Sequence, residues 1–132
     1  VEAGDRLSAI EINLRMGGTT HPMLTMAVVT EGSYDPVTAG FQSGTGAEKC
    51  YYATDNLRSD DYRGLSVEDL LDAAVDRRLT YDPVAGRGCV FHMLGALSEY
   101  GKVGVTCIAD TLSDAVADYG AVVDMMDALS AD

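Results

Sequence analysis

The chain has 132 residues, which suffices for one domain that buries roughly two-thirds of its unfolded surface in a single core. Its 21 acidic and 9 basic residues give a net charge of −12, which repels a phosphate backbone and argues against nucleic acid as a partner. The sequence has neither an apolar stretch of membrane-spanning length nor a basic and apolar secretory leader, so we expect a cytoplasmic protein without membrane contact.

The amino-terminal residues predict a β-hairpin. Gly4-Asp5 is a turn signal, and residues 7–14 form the returning strand. Apolar and polar residues alternate beyond Ala9, because successive strand side chains point to opposite faces. One face carries Ile10, Ile12 and Leu14, and the other carries Glu11, Asn13 and Arg15.

A glycine loop over residues 17–20 follows this strand. Thr20 or His21 ahead of Pro22 indicates a helix start, since proline suits the first helical turn. We predict a short helix over residues 23–30, closed by Gly32.

The remaining chain alternates between loop, strand and helix patterns. Residues 34–47, with one proline and three glycines, predict an exposed mobile connection. The other predicted elements are a strand over 49–54, a helix from a capping box at 66–69 to about 77, strands over 89–94 and 102–109 that form a second hairpin, and a helix from 111 or 113 to 129. The pattern predicts an α+β fold of mostly antiparallel strands in two hairpins, covered by about three helices, in a single domain over 1–132.

The three cysteines, Cys50, Cys89 and Cys107, are odd in number and far apart, so we expect free thiols packed in strands. A zinc site with His21 and His92 is the less favoured alternative, because local ligand spacing is missing. His92, within an apolar strand, is predicted to be a core histidine ahead of a catalytic base. The abundance of acidic residues beside only two lysines is typical of a halophilic-type surface.

The strand face with Glu11, Asn13 and Arg15 concentrates groups that bind phosphoryl substrates. Carboxylate and amide oxygens suit Mg²⁺, and the guanidinium offers a fork for phosphate or carboxylate. The adjacent glycine loop and helix start supply free backbone N–H groups for an anion. We therefore predict a phosphate or substrate loop formed by Gly17, Gly18, Thr19, Thr20 and His21.

The Glu-x-Asn-x-Arg pattern resembles the final catalytic strand of the ATP-grasp superfamily. The longer strings over 11–22 and 91–106 are similar to the C-terminal portion of peptide ligases related to the pheganomycin-type enzyme. This resemblance implies that Glu11 bridges two Mg²⁺ ions, Asn13 holds one of them, and Arg15 stabilises the transferred phosphate. Residues 1–22 would then end the ATP-grasp catalytic core, and residues 23–132 would form a C-terminal subdomain.

The resemblance further implies an ATP-dependent carboxylate–amine ligase that acts through an acyl phosphate on a small-molecule or peptide substrate. The nucleotide-binding lysines, the glycine-rich flap and one acidic metal ligand of such enzymes lie upstream of this motif. We therefore expect the chain to need an upstream ATP-grasp half as its partner, and to be inactive alone. ATP and Mg²⁺ would bind the intact enzyme, without tight binding to this chain alone. The alternative is a non-catalytic α+β association module, which would form a homodimer through exposed apolar surface.

Overall fold

The structure, a computed structural model, describes the backbone of residues 2–3 and 6–7, and residues 16–131 with their side chains. The fold class is α+β, as predicted. The strands are β1 (Glu2–Ala3), β2 (Arg6–Leu7), β3 (Ser33–Asp35), β4 (Gly40–Gln42), β5 (Cys50–Arg58), β6 (Gly88–His92) and β7 (Lys102–Ala109). The α-helices are α1 (Thr20–Val29), α2 (Val67–Asp76), α3 (Leu97–Tyr100) and α4 (Leu112–Ser130), with 3-10 turns at Asp60–Tyr62 and Leu94–Ala96.

The central sheet has three antiparallel strands in the order β5-β7-β6. Strand β7 lies in the middle, and its residues 103–109 are all buried. The predicted second hairpin is confirmed by the pairing of β6 with β7. Because directly opposed residues project to the same side of a sheet, this register decides which side chains of different strands meet.

The two faces of the sheet support two separate apolar clusters. Val105 and Cys107 of β7 pack in a cluster with Leu70 of α2 and with Val122 and Met125 of α4. On the opposite face, Ile108 packs with Met26 of α1 and Phe41 of β4. The sheet is therefore a middle layer between the α2/α4 pair and α1 with the β3–β4 hairpin.

Helices α2 and α4 both begin at a side-chain cap, the first at the predicted Ser66 and the second at Thr111, one of the two predicted starts. Ser66 Oγ accepts a hydrogen bond from the Asp69 N–H at 3.0 Å, and α2 follows at once. Thr111 Oγ1 accepts from the Asp114 N–H at 3.1 Å ahead of α4. These local signals place both helix starts where the sequence predicted them, because each cap satisfies a donor that the first turn leaves open.

The prediction of an exposed connection over residues 34–47 was wrong in part. Its first half forms the β3–β4 hairpin, with Tyr34 paired to Phe41. Phe41 is buried against Met26 and Ile108, and this tertiary contact outweighs the turn-rich composition of the segment. Strand β5 also continues past its predicted end at residue 54. A bulge between Thr54 and Leu57 shifts the register there, so the alternation of apolar and polar residues that would indicate a strand is lost from the sequence.

Of the predicted amino-terminal hairpin, the structure describes the antiparallel pairing of β1 with β2, in which Glu2 pairs with Leu7 and Ala3 pairs with Arg6. The rest of the strand predicted over residues 7–14 lies outside the described residues. Within the described part of the chain, the helices are too short or too polar to cross a membrane.

The cysteines are free thiols, as predicted. Cys89 and Cys107 are buried and directly opposed across β6 and β7, with their Sγ atoms 3.2 Å apart, and Cys50 is partly buried in β5. The side-chain hydrogen bond with Cys89 and, next to it, burial raise the pKa of the Cys107 thiol, which keeps it protonated. Over residues 16–131, no cluster of three or more His, Cys, Asp or Glu residues is arranged to hold a metal ion.

Candidate active-site cleft

A cleft of about 300 Å³ lies where the start of α1 faces the central sheet. It is lined by Gly18, Thr19, Pro22, Tyr51, Ala53, Thr54, Asp55 and His92. The first three belong to the predicted glycine loop and helix start, and the remainder belong to β5 and β6. The cleft thus joins a segment singled out by its sequence motif to two strands that lie far from it along the chain.

The glycine loop enters α1 through a compact turn. The Thr20 N–H donates to the Gly17 carbonyl at 3.0 Å, and the Gly17 N–H donates to Thr20 Oγ1 at 3.0 Å. Thr19 precedes the helix without a side-chain cap. Within the described residues, the N–H groups of Gly18 and Thr19 have no hydrogen-bond acceptor, so this end of the cleft offers donors and a favourable helix dipole to an anion.

His92 lies on the floor of the cleft because its cross-strand partner is a glycine. His92 pairs with Gly104 of β7, and a Cβ atom added to Gly104 would overlap the imidazole ring. The ring therefore lies directly over the β7 backbone. On its other side it meets the exposed His21 ring, with ring centroids 4.3 Å apart and planes tilted by 41°.

The surroundings of His92 favour the neutral imidazole. Burial lowers the pKa of His92, the His21 ring lowers it further, and the Asp55 carboxylate opposes both effects. Nδ1 is buried and makes no well-formed hydrogen bond, although the Val90 carbonyl on the same strand favours the protonated ring. A neutral histidine next to a carboxylate in a cleft can accept a proton from a bound substrate near pH 7.

The structure brings part of the predicted site together. Gly18 and Thr19 line the cleft, Gly17 and Thr20 shape its loop, and the His21 ring packs on His92. Their role in phosphate or substrate binding stays a prediction. Glu11 and Asn13, predicted as metal ligands, and Arg15, predicted as catalytic, lie outside the described residues.

Sequence reasoning missed Asp55 and placed His92 in the core. His92 is only partly buried and lines the cleft instead. The available signal was the pairing of a histidine with a glycine across a hairpin, which becomes visible only when the register of β6 and β7 is known. Asp55 lies within β5, in the part of the strand beyond residue 54, where the sequence-based prediction had ended it four residues too early.

One protein family, described as the PGM1 C-terminal domain, matches residues 69–119. The match runs from the first turn of α2 through β6, α3 and β7 into α4, and it covers less than half of the chain. No curated protein and no solved structure matches the chain. The protein is thus a small α+β domain. Its part from α2 through the β6–β7 hairpin into α4 resembles the PGM1 C-terminal domain.

Proposed function

We propose that this chain is the C-terminal domain of an ATP-dependent carboxylate–amine ligase, and that the cleft is its contribution to the active site. The observation that carries the proposal is the path of the chain. The segment after Glu11, Asn13 and Arg15 leads directly into the glycine loop, and Gly18 and Thr19 of this loop line the cleft together with His92 and Asp55. The family match over residues 69–119 supports a carboxyl-terminal position.

In the proposed reaction, ATP phosphorylates a carboxylate to give an acyl phosphate. Glu11 and Asn13 would hold Mg²⁺, and Arg15 would pair with the transferred phosphate. The amides of Gly18 and Thr19 would receive phosphate oxygens at the start of α1. These groups would stabilise the negative charge that develops on the phosphate as it is transferred and as it later leaves.

The cleft would serve the second half of the reaction. Asp55 attracts the ammonium group of the amine substrate, and neutral His92 takes a proton from it. The amine nitrogen then attacks the acyl carbon, the carbon–oxygen bond to phosphate breaks, and the nitrogen gives its second proton to the departing phosphate. The products are the amide and inorganic phosphate. A deprotonated amine is required because an ammonium ion has no lone pair for attack.

The test uses the longer polypeptide that includes the upstream ATP-grasp half. We expect it to release phosphate from ATP in the presence of a carboxylate and an amine. Glu11→Gln should lower this rate by at least about a hundredfold, since stabilisation of the developing charge by a bound metal ion is worth several kcal/mol.

Hydroxylamine traps an acyl phosphate as a hydroxamate and is neutral at pH 7. His92→Gln should therefore retain hydroxamate formation while it slows amide formation by about a hundredfold.

Asp124→Asn provides the matched control, because Asp124 is exposed on α4 away from the cleft. Both rates should be unchanged in this variant. The ligase proposal fails if the longer polypeptide shows no amine-dependent phosphate release, or if Glu11→Gln is as active as the parent. Equal loss of hydroxamate and amide in a folded His92→Gln variant would remove His92 from the proton-transfer step.

Association through α1 is a second candidate function, and the exposed apolar side chains of that segment favour it. Met16 is 71% exposed, Leu24 45% and Val28 75%, and all three line one shallow surface beside His21. A homodimer would bury this surface. Light scattering after size-exclusion chromatography should show a dimer that Val28→Glu converts to a monomer, and a strictly monomeric parent chain would rule the homodimer out.

A further inference from the structure

A cavity of about 510 Å³ lies at the opposite end of α1 from the cleft. The end of α1, the turn after β4, the turn before β6 and the residue after β7 enclose it. Its polar lining includes Glu31, Ser43, Lys49, Tyr81 and Asp110. The ten residues of α1 span about 15 Å, so this cavity is separate from the cleft.

Lys49 is a buried cation at the base of this cavity. Its side chain is 6% exposed, and Nζ donates to the Gly86 carbonyl at 2.7 Å and to Asp110 Oδ1 at 2.6 Å. An ammonium has three N–H donors, and within the described residues the third has no acceptor. A buried donor without a partner is costly, so a ligand that supplies an acceptor is favoured here.

The turn before β6 is shaped around this ammonium. Gly86 has a left-handed φ of 65°, and a Cβ atom added there would lie 2.8 Å from Lys49 Nζ. Glycine suits this position for two reasons. It tolerates the left-handed φ of the turn, and its lack of a side chain lets the Lys49 ammonium approach the Gly86 carbonyl. Lys49 and Asp110 are separated by 61 positions in sequence, so the pair exists only because β5 and β7 are neighbours.

The carboxylates of the cavity determine which ligand fits. Asp110 uses Oδ1 for Lys49 while its side chain remains 68% exposed, so its second oxygen can accept from a ligand. Glu31 adds a second negative charge at the rim, which leaves the lining with one cation against two anions. A simple anion is repelled by this balance, and a simple cation leaves the Lys49 donor unsatisfied.

We propose that this cavity binds the zwitterionic head of a free α-amino acid. The ligand carboxylate accepts from the third N–H of Lys49, and the ligand ammonium donates to the open oxygen of Asp110, with Glu31 adding attraction. The apolar lining from Val29, Pro83 and Val84 leaves room for a small side chain. This site stands on its own residues and does not depend on the ligase proposal.

The experiment titrates the ¹⁵N-labelled chain with L-alanine and follows the amide resonances of Glu31, Gly86 and Asp110. We expect saturable shifts with millimolar affinity. Acetate and ethylamine carry one charged group each, and each should bind at least about tenfold more weakly than alanine, since each loses one charge-assisted hydrogen bond. Acetate or ethylamine binding as tightly as alanine would overturn the proposal, as would the absence of saturable shifts.

Asp110→Asn tests the ammonium subsite without removing the acceptor for Lys49, because the asparagine amide oxygen can still receive that hydrogen bond. We expect it to weaken alanine binding about tenfold, with the exposed Asp124→Asn as a control of equal charge change that leaves affinity unaltered. Thermal melting establishes that both variants are folded. A folded Asp110→Asn variant that binds alanine as tightly as the parent chain would also overturn the proposed site. The ligase proposal is tested separately, by ATP turnover of the longer polypeptide.

Discussion

Gly104 controls the position of the His92 ring. In paired β-strands, the Cβ atoms of two opposed residues normally keep their side chains apart. Gly104 has no Cβ atom, so the imidazole of its partner His92 lies against the backbone of β7. The ring is thereby held in the lining of the cleft, next to the His21 ring. The glycine acts as a positioning residue for His92, because its lack of a side chain creates the space that the ring occupies.

We predict that Gly104→Ala destabilises the domain by about 1–3 kcal/mol, because overpacking of a buried position forces neighbouring side chains to shift. Urea denaturation measures the free energy of unfolding, and the His92 ring resonances report the displacement. Gly120→Ala is the matched control, since a Cβ at this exposed helical position meets nothing within 4 Å. It should stabilise α4 by about 0.5–1 kcal/mol. A folded Gly104→Ala variant with parental stability and an unmoved His92 ring would contradict this role.

At the scale of elements, the end of α1 shows how a backbone motif decides where a hairpin begins. The Gly32 N–H donates to the Ala27 carbonyl at 3.0 Å, and the Glu31 N–H donates to the Val28 carbonyl at 3.4 Å. This is a Schellman motif, and its left-handed residue is Glu31, with φ of 52°. The predicted closing residue Gly32 comes one position later, where a Cβ would overlap the Gln42 carbonyl oxygen.

We predict that Glu31→Gly raises the free energy of unfolding by about 1 kcal/mol, because glycine adopts the left-handed conformation without steric cost. Removal of a carboxylate from a helix C-terminus adds to this gain. Thermal and urea denaturation of the variant measure the change. Gly32→Ala, one residue away, should have the opposite sign, and stabilisation by both substitutions would show that the motif has been assigned wrongly.

At the scale of the whole molecule, charge is the dominant feature. A net charge of −12 is spread over 132 residues, and the described ion pairs engage only Asp60, Asp110 and Asp118 among the acids. Most carboxylates therefore contribute repulsion without a compensating partner. Such a surface keeps the protein soluble while it opposes compaction, and salt screens this repulsion.

We predict that the free energy of unfolding at pH 7 rises by on the order of 1 kcal/mol when KCl increases from about 0.1 M to about 1 M, as the screening length shortens. Urea denaturation at each salt concentration measures this change. Near the isoelectric point of about 4.3 the same salt increase should have little effect, because repulsion is then nearly balanced by attraction. An equal rise at both pH values would assign the effect to salt exclusion from apolar surface instead of charge screening.

The sequence by itself determined the features that rest on neighbours along the chain. The cap at Ser66, the helices α2 and α4 and the hairpin of β6 and β7 were predicted, with Thr111 as one of two possible starts of α4. Each of these features depends on hydrogen bonds or periodicity within a few residues. For the site, local pattern singled out the loop from Gly17 to His21, since glycines before a helix start are a short-range signal.

Only the tertiary structure decided what this loop faces. His92 and Asp55 reach the cleft through strand pairing, and Lys49 meets Asp110 across the same sheet. Long-range register and burial also converted the glycine-rich segment around Phe41 into a hairpin. Such contacts join residues tens of positions apart, and their free energy comes from packing and desolvation that no local pattern encodes.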